Sequence, residues 1–85
     1  MNVLYAGEFV KQFHKLPQVV QTRFRAQEQL FKANWRDTRL HVKKLRGNIQ
    51  TFSFRITRNY RVLFLFVEHK TVLFATIGHR KDVYQ

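Results

Sequence analysis

The 85-residue sequence has no cysteine, one proline, three glycines and five acidic residues. Without cysteine, neither a disulfide nor a thiolate metal site can staple the chain. The glycines are scattered at 7, 47 and 78, so there is no glycine-rich phosphate loop. No linker, repeat or low-complexity segment is visible. No stretch approaches the ~20 apolar residues of a membrane span, and no N-terminal apolar run suggests a signal peptide. The expected compartment is therefore the cytoplasm. Five acids spread along the chain exclude paired-carboxylate chemistry of the glycosidase or two-metal kind. Four histidines, His14, His41, His69 and His79, match no metal-ligand spacing, so neither a metal nor another cofactor is expected.

What the chain does have is positive charge. Sixteen Lys and Arg against five Asp and Glu give +11. Such an excess strains the compact state and points to a polyanionic partner, whether nucleic acid, an acidic protein or a membrane surface. The apolar fraction is 45%, with nine Phe, enough for one compact core. Residues 1–85 read as a single domain.

The segment NVLY (2–5) is a candidate edge strand. In EFVKQFHKL, Phe9, Val10, Phe13 and Leu16 fall at helical spacing. A second helix is expected from Pro17, comfortable at a first helical position, to Asn34, with Val20, Phe24, Gln27 and Phe31 on one stripe and Leu30 beside it. WRDTRLH reads as a loop, VKKL as a possible strand and RGN as a turn. The period then changes to two, with Phe52, Phe54 and Ile56 alternating against Thr51, Ser53, Arg55 and Thr57. RVLFLFV and VLFATI are apolar on both faces, and the short connections between strands force antiparallel pairing. The class is α+β: an N-terminal strand and an αα hairpin packed on one face of a mainly antiparallel four-stranded sheet. Two helices leave the other sheet face for loops or a partner to cover.

Chemistry-bearing residues gather in three places. HVKKLRGN holds Lys43, Lys44 and Arg46; FRITRNYR holds Arg55, Arg58 and Arg61; GHRK holds His79, Arg80 and Lys81. Trp35 and Tyr84 are candidates to stack on unpaired bases, whereas Tyr60 reads as ordinary packing. His14 and His69 read as solvated. His79 differs, because it follows a strand end and a glycine, where side chains are presented to ligands. Arg61 opens an apolar strand, where a lone arginine ordinarily snorkels to water. Cations, an imidazole and a phenol suit an RNA phosphodiester, whose 2′-OH is a built-in nucleophile.

KLRGN, SFRITRNYRVLF, TVLFATIGH and RKDVY, in that order and spacing after a strand and a helix hairpin, resemble the RelE/ParE superfamily of bacterial type II toxin–antitoxin toxins. The resemblance covers nearly the whole chain and implies a single RelE/ParE-like toxin domain. Arg61 at the start of a strand, His79 and Arg80 after the last strand's glycine, and Tyr84 near the C-terminus match the RelE-like branch. That branch implies a ribosome-dependent, metal-independent mRNA endoribonuclease that leaves a cyclic phosphate. A ParE-like gyrase inhibitor and a plain nucleic-acid-binding module are the alternatives. Expected roles are phosphate binding for Arg61, the same task or protonation of the departing 5′-oxygen for Arg80, and base stacking for Tyr84. Imidazole chemistry makes His79 the first candidate for general base, with Lys44 and Lys43 as the fallback. Lys43, Lys44, Arg46, Arg55, Arg58, Lys81 and Trp35 are the expected substrate contacts. Some relatives carry lysines on the strand after the LRG turn, at places that look here to be Phe52 and Phe54, and some add a C-terminal helix. The implied partners are a cognate acidic antitoxin, the ribosome and mRNA, with operator DNA reached through the antitoxin and no membrane.

Overall fold

The computed structural model describes residues 1–47 and 50–84. Its elements run β1 (Asn2–Tyr5), α1 (Gly7–His14), α2 (Gln18–Ala33), β2 (Lys43–Lys44), β3 (Thr51–Arg55), β4 (Tyr60–Glu68), β5 (Thr71–His79) and α3 (Arg80–Val83). A 3-10 turn over Thr38–Leu40 interrupts the expected loop, and it seats Leu40 in the core. The fold is α+β, with a helix pair against one face of a mixed sheet in the order β1-β5-β4-β3-β2.

Among the described residues the sheet has five strands, where a four-stranded sheet was expected. The possible strand in VKKL is formed as β2, whose two lysines pair with Phe52 and Ser53. Three strand pairs are antiparallel, and β1 lies parallel to β5. Nearly the whole chain separates β1 from β5, so no hairpin constrains their direction. Arg46 and Gly47 turn the chain between β2 and β3, with Gly47 at φ 80°, a backbone region that glycine enters without steric cost. Asn48 of the expected RGN turn lies outside the described residues.

Pro17 stands just before α2 rather than within it, and its carbonyl accepts the Val20 and Gln21 N–H groups. The Gln21 side chain reaches back from α2 to donate to the Phe13 and Leu16 carbonyls at the end of α1, at 3.1 and 3.0 Å. Orphan carbonyls at a helix end are thereby satisfied, and the hairpin angle is fixed. Phe9 and Phe13 face inward, but Val10, placed on the same stripe by spacing, is 42% exposed. In a helix this short the buried stripe spans only the two phenylalanines.

Phe31 anchors the core, with ring centroids 5.2, 5.0 and 5.1 Å from Phe54, Phe64 and Phe74. Such tilted and edge-on pairs add to the burial of large apolar surfaces. Val62, Phe64, Val72, Phe74 and Ile77 line the helix side of the two long strands. A register shift pairs Leu63 with Thr76 but Phe64 with Phe74, leaving Ala75 as the extra residue. This bulge restores the alternation, so Ile77 faces the core and Gly78 the outer face. Leu63, Leu65 and Leu73 lie half-buried on the outer face, where α3 folds back.

Candidate functional site

Residues paired directly across strands share a face, so the register assigns each side chain to a side. One row on the outer face runs Arg55, Arg61, Gly78, and the next runs Lys43, Ser53, Leu63, Thr76. Phe52 and Phe54, the positions compared with the relatives' lysines, face the core. The outward-facing positions of β3 are therefore Ser53 and Arg55, as the two-residue alternation places them. That strand does present a cation.

Arg61 is held by the turn that precedes it. Its Nη1 donates to the carbonyls of Thr57 at 2.8 Å, Arg58 at 2.8 Å and Tyr60 at 3.2 Å. Partial burial lowers its pKa, the Arg55 charge adds to the fall, Tyr84 opposes it and Arg80 lowers it further. The guanidinium thus lies within electrostatic reach of two others and a phenol. Arg55 holds its backbone carbonyl toward Gln27 Nε2 at 2.9 Å, while its own Nε is buried without a hydrogen-bond partner. A buried orphan donor among cations has its best partner in an anion. Among the described residues, no carboxylate forms an ion pair with Arg55, Arg61 or Arg80.

The segment after β5 is a short helix, α3, docked on the sheet. The Arg80 N–H donates to the Asn59 carbonyl at 2.7 Å, tying α3 to the β3–β4 turn. The Lys81 N–H donates to His79 Nδ1 at 3.1 Å, which makes His79 the cap of this helix. Val83 is buried against Gly78. Tyr84 then lies across the outer face and donates its hydroxyl to Ser53 Oγ at 3.2 Å.

The structure therefore brings together Arg55, Arg61, Arg80 and Tyr84, with Lys43 on the same face. It does not bring His79 to them. His79 pairs with Tyr60 on the other side of the sheet, ring centroids 5.5 Å apart, beside a pocket lined by Gln12, Lys15, Leu16 and Asp82. Lys44 lies on the helix side, in a shallow groove with Trp35, His41 and Phe52. Trp35 packs edge-on against Phe52 and Phe66, at 6.0 and 5.1 Å, while the Arg36 guanidinium covers its ring at 4.8 Å. Arg46, Arg58 and Lys81 are exposed, on the β2–β3 turn, the β3–β4 turn and α3 respectively. Ser53 was not singled out from the sequence, although the alternation places it on the same side as Arg55. Its tie to Tyr84 carries no sequence signal, because 31 residues separate them.

Among the described residues, no three His, Cys, Asp or Glu side chains are grouped to hold a metal ion, and no helix is long and apolar enough to cross a membrane.

No family model and no curated protein sequence matches the chain. Solved structures do. A chain of the RelB–RelE antitoxin–toxin complex from Methanococcus jannaschii is 26% identical, with TM-score 0.78 over 96% of this chain and 95% of that one. The isolated RelE toxin of E. coli is 20% identical, with TM-score 0.73 over 98% and 89%. YafQ from E. coli is 14% identical, with TM-score 0.78 over 99% and 98%. The fold is RelE-like. In sequence too, the chain resembles the Methanococcus complex along nearly its full length.

Proposed function

We propose that this protein is the toxin of a type II toxin–antitoxin pair, acting in the cytoplasm as a ribosome-dependent mRNA endoribonuclease. One observation carries the reading: three guanidinium groups and a phenol face one another without a carboxylate among the described residues to neutralise them. A phosphodiester supplies the missing negative charge. Arg61, fixed by three carbonyls, binds its non-bridging oxygens, and Arg55 and Arg80 stabilise the charge that builds as the phosphorus becomes five-coordinate. The substrate's 2′-oxygen attacks phosphorus, the bond to the 5′-oxygen breaks, and a cyclic phosphate remains. Arg80 gives a proton to the departing 5′-oxygen. With His79 turned to the helix side, Lys43 is the base: in its neutral amine form it takes the 2′-OH proton and becomes the ammonium. Tyr84 orients the substrate base. The described residues set these groups on an open sheet face, so much of the positioning falls to the ribosome and its bound mRNA.

The likeness to RelE chains solved with RelB supports a cognate antitoxin. An acidic, largely disordered partner suits +11 and the open apolar strip of Leu4, Leu65, Val67 and Leu73 beside the cations. Operator DNA would be reached through that antitoxin.

Inducing the chain in a bacterium while mapping mRNA ends and DNA damage tests the reading. Codon-phased mRNA cuts without a DNA-damage response are expected. Arg61→Ala and Arg80→Ala should each lower cleavage by about 10²–10³-fold. The variants should still fold and bind the antitoxin. DNA damage with intact mRNA would replace this reading with a gyrase inhibitor, and nucleic-acid binding with neither effect would replace it with a plain binding module.

A further inference from the structure

Ser53 points to the open face of the sheet, yet it is only 2% exposed. Tyr84 lies over it. Three anchors hold the backbone of α3: the His79 cap, the bond from Arg80 to the Asn59 carbonyl, and the seat of Val83 on Gly78. None of them fixes the ring of Tyr84, which follows the last helical residue and is 47% exposed. The ring is fixed from the other end. Its hydroxyl reaches Ser53 Oγ at 3.2 Å, on a strand paired on both sides, one row from Arg55 and Arg61.

We infer that Ser53 is a positioning residue of the site: its hydroxyl sets where the Tyr84 phenol stands beside Arg61. The inference rests on the nuclease reading above. Ser53 itself touches neither phosphate nor base. It acts by removing the freedom of an exposed ring about two side-chain torsions, so that the phenol need not be ordered anew at each encounter. A strand is the right support for this, because its backbone moves less than the terminal turn that carries the ring. Serine also suits the place sterically. A longer side chain at 53 would fill the space the phenol occupies.

The test is single-turnover cleavage of mRNA on programmed ribosomes by the parent chain, Ser53→Ala, Ser53→Thr, Tyr84→Phe and the Ser53→Ala/Tyr84→Phe pair. Melting temperatures are recorded alongside. Ser53→Ala removes one oxygen and should remain folded. Its maximal rate should fall about 10–100-fold while the half-saturating ribosome concentration stays close to the parent's. Ser53→Thr, which keeps the hydroxyl, should recover most of the rate. The double variant should be no slower than Tyr84→Phe alone, since losing the phenol hydroxyl, which also bonds Arg61, already removes the bond to Ser53. If Ser53→Ala cuts at the parent rate, the inference falls and the nuclease reading stands. If Ser53→Thr is as slow as Ser53→Ala, or if the two losses simply multiply, Ser53 serves packing alone and the inference falls. A parent chain that leaves ribosome-bound mRNA intact overturns the nuclease reading and this inference with it.

Discussion

Tyr5 and Glu28 show how one buried carboxylate is accommodated in a strongly basic chain. Glu28 is buried on α2, accepts the Tyr5 hydroxyl, and pairs with Arg25 at 3.3 Å and Lys32 at 3.9 Å. Burial first, then the hydrogen bond and charge of Glu28, push the Tyr5 phenol up to about 12 from 10.0, with Arg25 opposing. The folded chain therefore keeps a proton that the unfolded chain has already lost. This contribution to stability is complete below pH 10 and disappears as pH rises toward about 12. Denaturant melts across that interval should show the parent losing stability faster than Tyr5→Phe; parallel curves would contradict the arrangement. At this scale the sequence disclosed much of the site and misplaced part of it. Arg61, Arg80 and Tyr84, singled out by the family resemblance, stand together on the outer face. A shift of one residue along β3 exchanges the two faces of the sheet; Arg55 was among the expected contacts, but Ser53, which carries no charge to draw attention, was passed over. His79 turned away because its imidazole caps α3, a local bond that spacing alone does not reveal.

The elements themselves were mostly readable, because a helical or two-residue apolar period reports which face is buried. α2 and β3 fall within their expected stretches, while α1 starts one residue earlier, at Gly7, and β4 and β5 run past the expected apolar runs to Tyr60–Glu68 and Thr71–His79. Two features had no such signal. β2 is too short for any period, and the pairing of Asn2 with Thr71 is a long-range event. α3 likewise has a single turn, and its place depends on what it meets. Gly78 decides that place. A Cβ there would stand 3.2 Å from Val83 Cγ1, closer than ordinary contact. Gly78→Ala should thus lift α3 by a few tenths of an ångström and cost roughly 1 kcal/mol. Amide exchange should quicken in Arg80–Val83 while Val62, Phe64 and Phe74 keep their protection. Cleavage should fall more than stability, because Tyr84 and Arg80 ride on α3. Unchanged exchange in α3 together with parental cleavage would show that the turn tolerates the methyl group.

Across the whole molecule, charge is divided unevenly between two surfaces. The described ion pairs, formed by Glu28 and Asp37, lie on α2 and in the turn that follows it. The outer sheet face carries Arg55, Arg61 and Arg80, with Lys43 and Lys81 exposed nearby. A polyanion gains most by binding where cations lack partners, since it displaces counterions rather than competing with carboxylates. Three phosphates neutralised by the arginines would give a slope of log affinity for single-stranded RNA against log salt of about −2, and five cations about −3.5. The measured slope should fall between these limits. Arg80→Ala should make it shallower by about 0.7. Arg23→Ala, exposed on α2 away from this face, should leave it unaltered. Affinity lost uniformly through Arg23→Ala, with a parental slope for Arg80→Ala, would move the RNA to the helix side and detach the cation cluster from substrate binding.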